Sequence, residues 1–230
     1  MRRQTDRIAT TLLAVTVAIG ITLTAPPRAT SQDTAASQDH DITTEEIAVT
    51  MNMLMQARSK EALAYVDSLE SEYAGMPLYL LVRARVHLSH VTAVDDDHDY
   101  VKELSKPTLD TLHEVIKICT KRIESGDDDP ALLLYRGWAW MQKGHLQALA
   151  RSFYSAGRDA GRGKKDLEKY LDSYPNDPVA NGMLGAYLYF ADAVPKVFKL
   201  LSRLLFLPTG DRSRGLEMLY VSIDSESPFA

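Results

Sequence analysis

Apolar residues recur every three or four positions along most of the chain beyond residue 43, which is the spacing of an amphipathic helix. The acidic residues after two threonines at Thr43-Thr44-Glu45-Glu46 are typical of a helix start. Sustained alternation with a period of two is absent from the sequence, so strands are not expected. The pattern therefore predicts an all-α protein. The predicted helices begin near Thr44, with a turn at 58–60, and then cover 62–69, 80–88, 108–123, 132–142, 145–174 (as one or two helices), 179–191, 195–207 and 211–223.

Two junctions between predicted helices have similar turn sequences that end in Asp-Pro, at 126–130 (GDDDP) and 174–178 (YPNDP). Seven residues after each proline stands a glycine, Gly137 or Gly185, which lets a neighbouring helix approach closely. A recurring helical hairpin of this kind indicates a solenoid. We therefore expect a right-handed solenoid of antiparallel helical hairpins. The matching bulky positions beside the glycines are Trp140 and Leu188.

The hairpins resemble tetratricopeptide repeats over about residues 43–230. The resemblance implies that repeats begin near Pro77, Pro130 and Pro178. It also assigns the small position of the first helix to Ala84, Gly137 and Gly185, and that of the second helix to Ala62 and Gly215. The prolines are 53 and 48 residues apart, whereas the repeat has a period of about 34 residues. Inserted helices within the later hairpins are therefore expected.

The last part of the chain also resembles a group of exported bacterial repeat proteins with a Leu-Pro-x-Gly-Asp-Arg-x-x-Gly-Leu motif. That motif is matched here by Leu207 to Leu216, after the Gly-x-Tyr-x-Tyr run that begins at Gly185. This resemblance implies a fold and no particular activity.

The N-terminus has the order of a targeting segment. Arg2, Arg3 and Arg7 precede an uncharged, largely apolar run over 8–25, and a polar stretch follows. Residues 1–31 are therefore expected to be a signal peptide or an N-terminal membrane anchor, and 32–42 a disordered linker. The protein would be exported to the bacterial periplasm or the extracellular space, or held at the inner membrane through 8–25.

Removing residues 1–31 leaves 22 basic and 30 acidic residues, a net charge of −8, which argues against nucleic acid as a partner. Cys119 is the only cysteine, so an intramolecular disulfide is impossible. It lies in an apolar helical stretch and is expected to be a small buried hydrophobe.

No segment supports catalysis, a cofactor or a metal ion. Asp95, Asp97 and Asp99 alternate as in an EF-hand, but Tyr100 and Lys106 stand where glycine and glutamate are needed. Residues 157–165 resemble a phosphate loop, yet one residue too many separates the glycines and no strand precedes them. The acidic loop at 127–129 is expected to cap a helix.

A basic stripe is the strongest candidate for partner binding. Arg158, Arg162, Lys165 and Lys169 share one helical face, and Arg151 is placed one turn further back. Such a patch suits a carboxylate-rich partner or lipid headgroups. The alternative is an ordinary solvated face whose cations pair with Asp166 and Glu168.

The segment 194–207 is apolar over most of its circumference. Burial between hairpins, contact with a membrane surface and the wall of a ligand cavity are all open for it. The final residues, 225–230, resemble the opening of a further helix, which predicts a truncated array or an exposed end covered by a partner or another copy. These observations predict a non-enzymatic interaction scaffold of the cell envelope. The alternatives are a periplasmic carrier of a hydrophobic small molecule and a membrane-tethered assembly factor.

Overall fold

The computed structural model describes residues 42–92, 98–193 and 210–223. Within these ranges every regular element is a helix, so the all-α prediction is confirmed for this part of the chain. The helices, in chain order, are α1 (Thr44–Met55), α2 (Ser59–Ser68), α3 (Glu70–Tyr73), α4 (Pro77–Thr92), α5 (His98–Glu124), α6 (Ala131–Leu149), α7 (Phe153–Leu171), α8 (Pro178–Ala193) and α9 (Arg212–Ile223).

Helix α1 begins with a capping box, as the sequence predicts. The Thr43 hydroxyl accepts from the Glu46 amide at 3.3 Å, and the Glu46 carboxylate accepts from the Thr43 amide at 2.9 Å. Ile42, the last residue of the predicted disordered linker, is only 4% exposed and belongs to the core. The turn predicted at 58–60 is wrong, because the chain already turns at Ala57 (φ 57°) and α2 starts at Ser59.

Helix α5 starts ten residues earlier than predicted and contains Pro107. A proline inside a helix removes one backbone hydrogen bond, so the sequence suggested a start at Thr108. Ser105 and Thr108, on either side of the proline, are buried. Packing of this segment against its neighbours therefore outweighs the local cost of the proline.

Helix α6 extends to Leu149, seven residues beyond the predicted end at Gln142. Gly144 lies inside the helix, at a close approach of α7. A Cβ there would lie 3.0 Å from the Ala156 carbonyl oxygen. The chain turns instead at Ala150 and Arg151 (φ 57°), so the predicted 145–174 region is divided between α6 and α7.

Two helix pairs cross at glycine-to-glycine contacts. In the α6/α7 pair, a Cβ at Gly163 would lie 2.7 Å from the Gly137 carbonyl oxygen. In the α8/α9 pair, a Cβ at Gly215 would lie 2.7 Å from the Gly185 carbonyl oxygen. In both pairs the helices run antiparallel, because positions later in one helix meet positions earlier in the other. Residues 157–165, which resemble a phosphate loop in sequence, lie inside α7. Gly163 in this range is the α7 glycine of the α6/α7 crossing.

The bulky positions assigned to the repeat are not equivalent in the structure. Leu188 is 2% exposed and belongs to the core, and so does Ala84 on α4. Trp140 is only partly buried, and Trp138 is the tryptophan of α6 that lies in the hydrophobic core. Trp140 lies instead beside Lys143 and Arg162.

The core follows α6, which packs against α4, α5, α7 and α8. Two tyrosines are buried with their hydroxyls satisfied: Tyr79 donates to the Val66 carbonyl oxygen at 3.2 Å and Tyr170 donates to Asp177 at 3.1 Å. Cys119 is fully buried, as expected, and burial raises the pKa of its thiol to about 12. A thiol with so high a pKa is protonated at neutral pH.

The acidic loop before α6 caps that helix. Asp129 accepts from the Ala131 amide at 2.9 Å, and Asp127 accepts from Arg122 at 2.7 Å. The predicted N-terminal segment 1–31, Asp95 and Asp97, the apolar segment 194–207 and the last residues 225–230 lie outside the described residues.

Candidate functional site

The predicted basic stripe falls mostly on one helix. Arg158, Arg162, Lys165 and Lys169 are all on α7 and all exposed. Arg151 is exposed too, but it lies in the turn before α7 rather than one turn back on the same helix. The placement of Arg151 on the stripe is therefore wrong, because the sequence did not reveal where the chain reverses.

Four polar side chains converge on one buried carboxylate beside this face. Asp159 is fully buried, and its Oδ2 atom accepts from Lys143 Nζ at 2.9 Å and from Gln147 Nε2 at 3.0 Å. Its Oδ1 atom accepts from Arg158 Nε at 3.2 Å and from Arg162 Nη1 at 3.3 Å. The side chain of Lys143 is 9% exposed, whereas both arginine side chains are about half exposed. The cluster therefore joins a buried ion pair to two surface cations.

Burial alone would raise the pKa of Asp159, because a carboxylate loses hydration in the interior. Lys143 opposes that effect through a hydrogen bond and its positive charge, and Gln147 and Arg158 oppose it through hydrogen bonds. Together they lower the pKa of Asp159 below its usual value. Asp159 is therefore ionised at neutral pH. Since Lys143 and Asp159 are both buried, removing one partner would leave the other uncompensated.

Trp140 is held between two of these cations. Arg162 Cζ lies 4.7 Å and Lys143 Nζ 4.8 Å from the ring centroid, distances at which the ring attracts positive charge. The indole is therefore part of the basic face, although the sequence assigned it to a structural repeat position.

The two carboxylates expected to pair with the basic stripe form ion pairs with other cations. Asp166 forms a bidentate pair with Arg136 of α6, at 2.7 and 2.8 Å, and so joins α6 to α7. Glu168 accepts from Lys164 at 2.8 Å and lies 3.4 Å from Arg214 of α9. Pairing of Asp166 with the stripe was an incorrect alternative, because Asp166 lies on the side of α7 that faces α6.

A groove lies on the adjacent side of α7. It is open, has a volume of about 550 Å³, and lies between α7, α8 and α9. Three carboxylates and one arginine alternate with apolar side chains along it. The lining residues are Glu168, Leu171, Asp172, Pro175, Asn181, Arg214, Glu217, Met218 and Val221. The sequence did not predict this groove, because its residues come from three separate segments.

Helix α9 also has an exposed apolar face on a different side from the groove. Leu216, Tyr220, Val221 and Ile223 are all exposed on this helix, and Val221 also lines the groove. Helical spacing places Leu216, Tyr220 and Ile223 on one stripe. Arg214, Met218 and Val221, which line the groove, lie on nearly the opposite side of α9 from this stripe. The stripe is therefore a separate exposed apolar surface.

Several polar side chains are buried inside the helical layer, which the sequence reasoning missed. Thr108 Oγ1, His145 Nε2 and the side-chain nitrogen and oxygen of Gln142 are buried and have no hydrogen-bond partner among the described residues. Burial, and then the positive charge of Arg85, lowers the pKa of His145 to about 4. The only available signal was their position among apolar residues of the same helices.

Two findings concern other kinds of site. Among the described residues, no group of three or more His, Cys, Asp or Glu side chains is placed so that it could hold a metal ion. Within the ranges covered by the structure, none of the helices has both the length and the apolar character needed to cross a bilayer.

The chain was compared with models of protein families, with curated proteins and with solved structures. None of the three comparisons gives a match.

Proposed function

We propose that this chain is a non-enzymatic interaction scaffold that binds a segment of a partner protein in the groove between α7, α8 and α9. The open groove, whose walls combine apolar side chains with carboxylates, is the observation that carries the proposal. The framework would be a right-handed, tetratricopeptide-like solenoid. The two antiparallel pairs with a glycine on each side of the crossing support that architecture, since a repeated unit should repeat its closest contact.

The chemistry of the groove favours a partner segment that is both apolar and basic. Glu168 already has Lys164 and Arg214 nearby, so its charge is largely compensated. Asp172 and Glu217 have no ion pair among the described residues. Leu171, Met218 and Val221 offer contact to apolar side chains. An amphipathic helix with lysine or arginine on one edge fits this arrangement.

A carrier of a hydrophobic small molecule is less well supported. Such ligands are usually enclosed over about 70–90% of their surface in a mostly apolar cavity. The groove is open and four charged side chains line it. A protein segment can leave its polar side exposed in such a groove, whereas a hydrophobic molecule cannot.

A location in the cell envelope is part of the proposal and depends on residues 1–31. Their basic start and apolar run are the features of an export signal. N-terminal sequencing of the protein from cells distinguishes a cleaved, exported protein from a membrane-tethered assembly factor. A start near residue 32 supports export, and an intact N-terminus supports tethering.

Site-specific photo-cross-linking in cells tests the scaffold function. A photoreactive residue at Val221 in the groove is expected to give a defined adduct with a partner protein. The same residue at Val49 on α1 is a matched control, because the two valines are 37% and 36% exposed. Val49 lies on a helix that packs against α2 and α4, away from the groove.

A charge substitution then shows whether the groove itself binds the partner. With the photoreactive residue placed instead at Leu171, which also lines the groove, Val221→Lys should abolish the adduct. The substitution adds positive charge to the wall that meets a basic segment. Val49→Lys should leave the adduct unchanged. Equal cross-linking at Val221 and Val49, or no adduct from Val221, would contradict the proposal.

A further inference from the structure

We infer that Arg158 and Arg162 form a second docking point, which binds the carboxylates of an acidic segment of a partner protein. This surface is separate from the groove, and the inference does not depend on the groove being occupied. It rests on the arrangement of charges around Asp159 and on the contrast between these arginines and the lysines further along α7.

The cluster has more positive charge than its buried carboxylate can neutralise. Lys143 and Asp159 are both nearly inaccessible and 2.9 Å apart, so they compensate each other. Arg158 and Arg162 then contribute two further positive charges. Among the described residues, Asp159 is the only carboxylate with which either arginine forms an ion pair. An excess of about two charges therefore remains at the surface.

Both guanidinium groups are held in place before any ligand arrives. Each uses one nitrogen on Asp159 Oδ1, and Arg162 also lies over the ring of Trp140. A guanidinium group has five N–H donors, so most of them remain available. The half-exposed state of both side chains leaves those donors accessible. Side chains that are already ordered lose less entropy when they bind a carboxylate.

Lys165 and Lys169 extend the positive face but differ in kind. They are exposed, and no ion pair with them is recorded among the described residues. From Arg158 to Lys169 the face extends for about 16 Å along the helix, which corresponds to about five extended residues. The lysines should steer an acidic segment by long-range attraction, and the arginines should bind it by direct hydrogen bonds.

The surroundings favour a protein segment over a large polyanion. The chain as a whole has a net charge of −5. Carboxylates of Glu168 on α7 and of Asp172, directly after α7, line the groove. A membrane surface or a nucleic acid would meet these carboxylates as well as the arginines. A short acidic segment can follow the basic face and avoid them.

Binding of a fluorescein-labelled peptide with six consecutive glutamates to the purified full chain tests the inference. Fluorescence anisotropy is measured at two salt concentrations. The Arg158→Gln/Arg162→Gln variant should raise the Kd about tenfold or more, since two charge-assisted contacts are lost. The matched control, Lys165→Gln/Lys169→Gln, removes the same charge from the same face. It should raise the Kd only about two- to threefold, with a weaker salt dependence than the parent.

A second variant separates geometry from charge. Arg158→Lys/Arg162→Lys keeps both charges but loses the planar, ordered donors, so its Kd should lie between those of the parent and the glutamine variant. Its unfolding midpoint, compared with the parent, shows whether the fold is retained. Chemical shifts of the arginine Nε–H groups in the parent should change on addition of peptide.

Other outcomes would overturn the inference. Equal losses in the arginine and lysine double variants would mean that charge alone acts, without a built docking point. Unchanged arginine Nε–H shifts would place the peptide elsewhere. Binding to vesicles containing anionic phospholipid, lost in the same arginine variant and tighter than peptide binding, would make the face a lipid-binding surface. Failure at Val221 in the cross-linking experiment would leave this result untouched.

Discussion

At the scale of single residues, two basic side chains on α6 show how burial and a partner decide the state of an ionisable group. Lys143 is buried against Asp159, which supplies the opposite charge at 2.9 Å. His145, two residues further on, has a buried Nε2 atom, and no described residue forms a hydrogen bond with it. Burial, and then the positive charge of Arg85, lowers the pKa of His145 to about 4, so this side chain is neutral at pH 7.

The low pKa of His145 makes stability depend on pH. The unfolded chain binds a proton at His145 below pH 6.5, while the folded chain does so only near pH 4. Between pH 6.5 and pH 4 the unfolded chain therefore binds more protons than the folded chain. The free energy of unfolding is unaffected by His145 above about pH 6.5 and decreases as the pH falls towards 4. The free energy of unfolding of both proteins is compared at pH 7 and pH 4. Its decrease should be about 3 kcal/mol larger in the parent than in the His145→Gln variant.

Urea unfolding of both proteins at half-unit steps of pH measures this difference. The glutamine variant cannot titrate, so it reports the contribution of all other groups. Parallel curves for the two proteins across this range would show that His145 is accessible to protons in the folded state.

At the scale of elements, close helix approach matters more than local helix preference. Gly144 and Gly163 would each weaken an isolated helix by about 1 kcal/mol relative to alanine. Both stand where the α6 and α7 backbones come together, and the helices continue through them. The same reasoning applies to Gly185 and Gly215 in the α8/α9 pair.

Alanine substitutions at the two sides of one crossing should have different effects. A Cβ at Gly163 meets the Gly137 carbonyl oxygen at 2.7 Å, and backbone atoms can move only if a helix shifts. Gly163→Ala should therefore destabilise the protein by about 1–3 kcal/mol. A Cβ at Gly137 meets side-chain atoms of Leu167, the nearest at 2.9 Å, which can adjust. Gly137→Ala should cost less, because higher helix propensity offsets part of the strain.

Thermal unfolding of the two single variants, followed by circular dichroism, decides this prediction. They differ by the same one methyl group at the same crossing, so each is the control for the other. A Gly163→Ala variant as stable as Gly137→Ala would mean that the helices are further apart than the structure places them.

At the scale of the whole molecule, stability should be greatest in the middle of the helical layer. Helix α6 packs against α4, α5, α7 and α8, whereas α9 packs mainly against α8 and α1 packs against α2 and α4. The side chains of Leu216, Tyr220 and Ile223 on α9 are exposed. Helices with fewer packed neighbours open more easily.

Native-state hydrogen exchange should follow this order. The slowest amides are expected in α6, and the amides of α1 and α9 should exchange faster. Occupation of the groove should slow exchange in α9 more than in α1, because only α9 lines it. Equal protection of α6 and α9 in the free protein would indicate a single cooperative unit without weaker ends.

The register of the α6/α7 pair could have been obtained from the sequence once the turn was known. Lys143 and Asp159 each lie eight residues from Arg151, and Arg136 and Asp166 each lie fifteen residues from it. In an antiparallel pair, positions equally distant from the turn meet. The turn itself was not evident, because the sequence left 145–174 as one or two helices, whereas the chain reverses at Ala150 and Arg151.

The sequence by itself determined the helical class, the capping of α1, the buried state of Cys119 and the crossing positions of Gly137 and Gly185. Each follows from spacing or from the chemistry of one residue type. The tertiary structure decided where α5 begins, which of Trp138 and Trp140 enters the core, and which cations surround Asp159. The groove also exists only in the folded chain. These features depend on side chains brought together from distant segments, and local pattern carries no information about which face of one helix meets another.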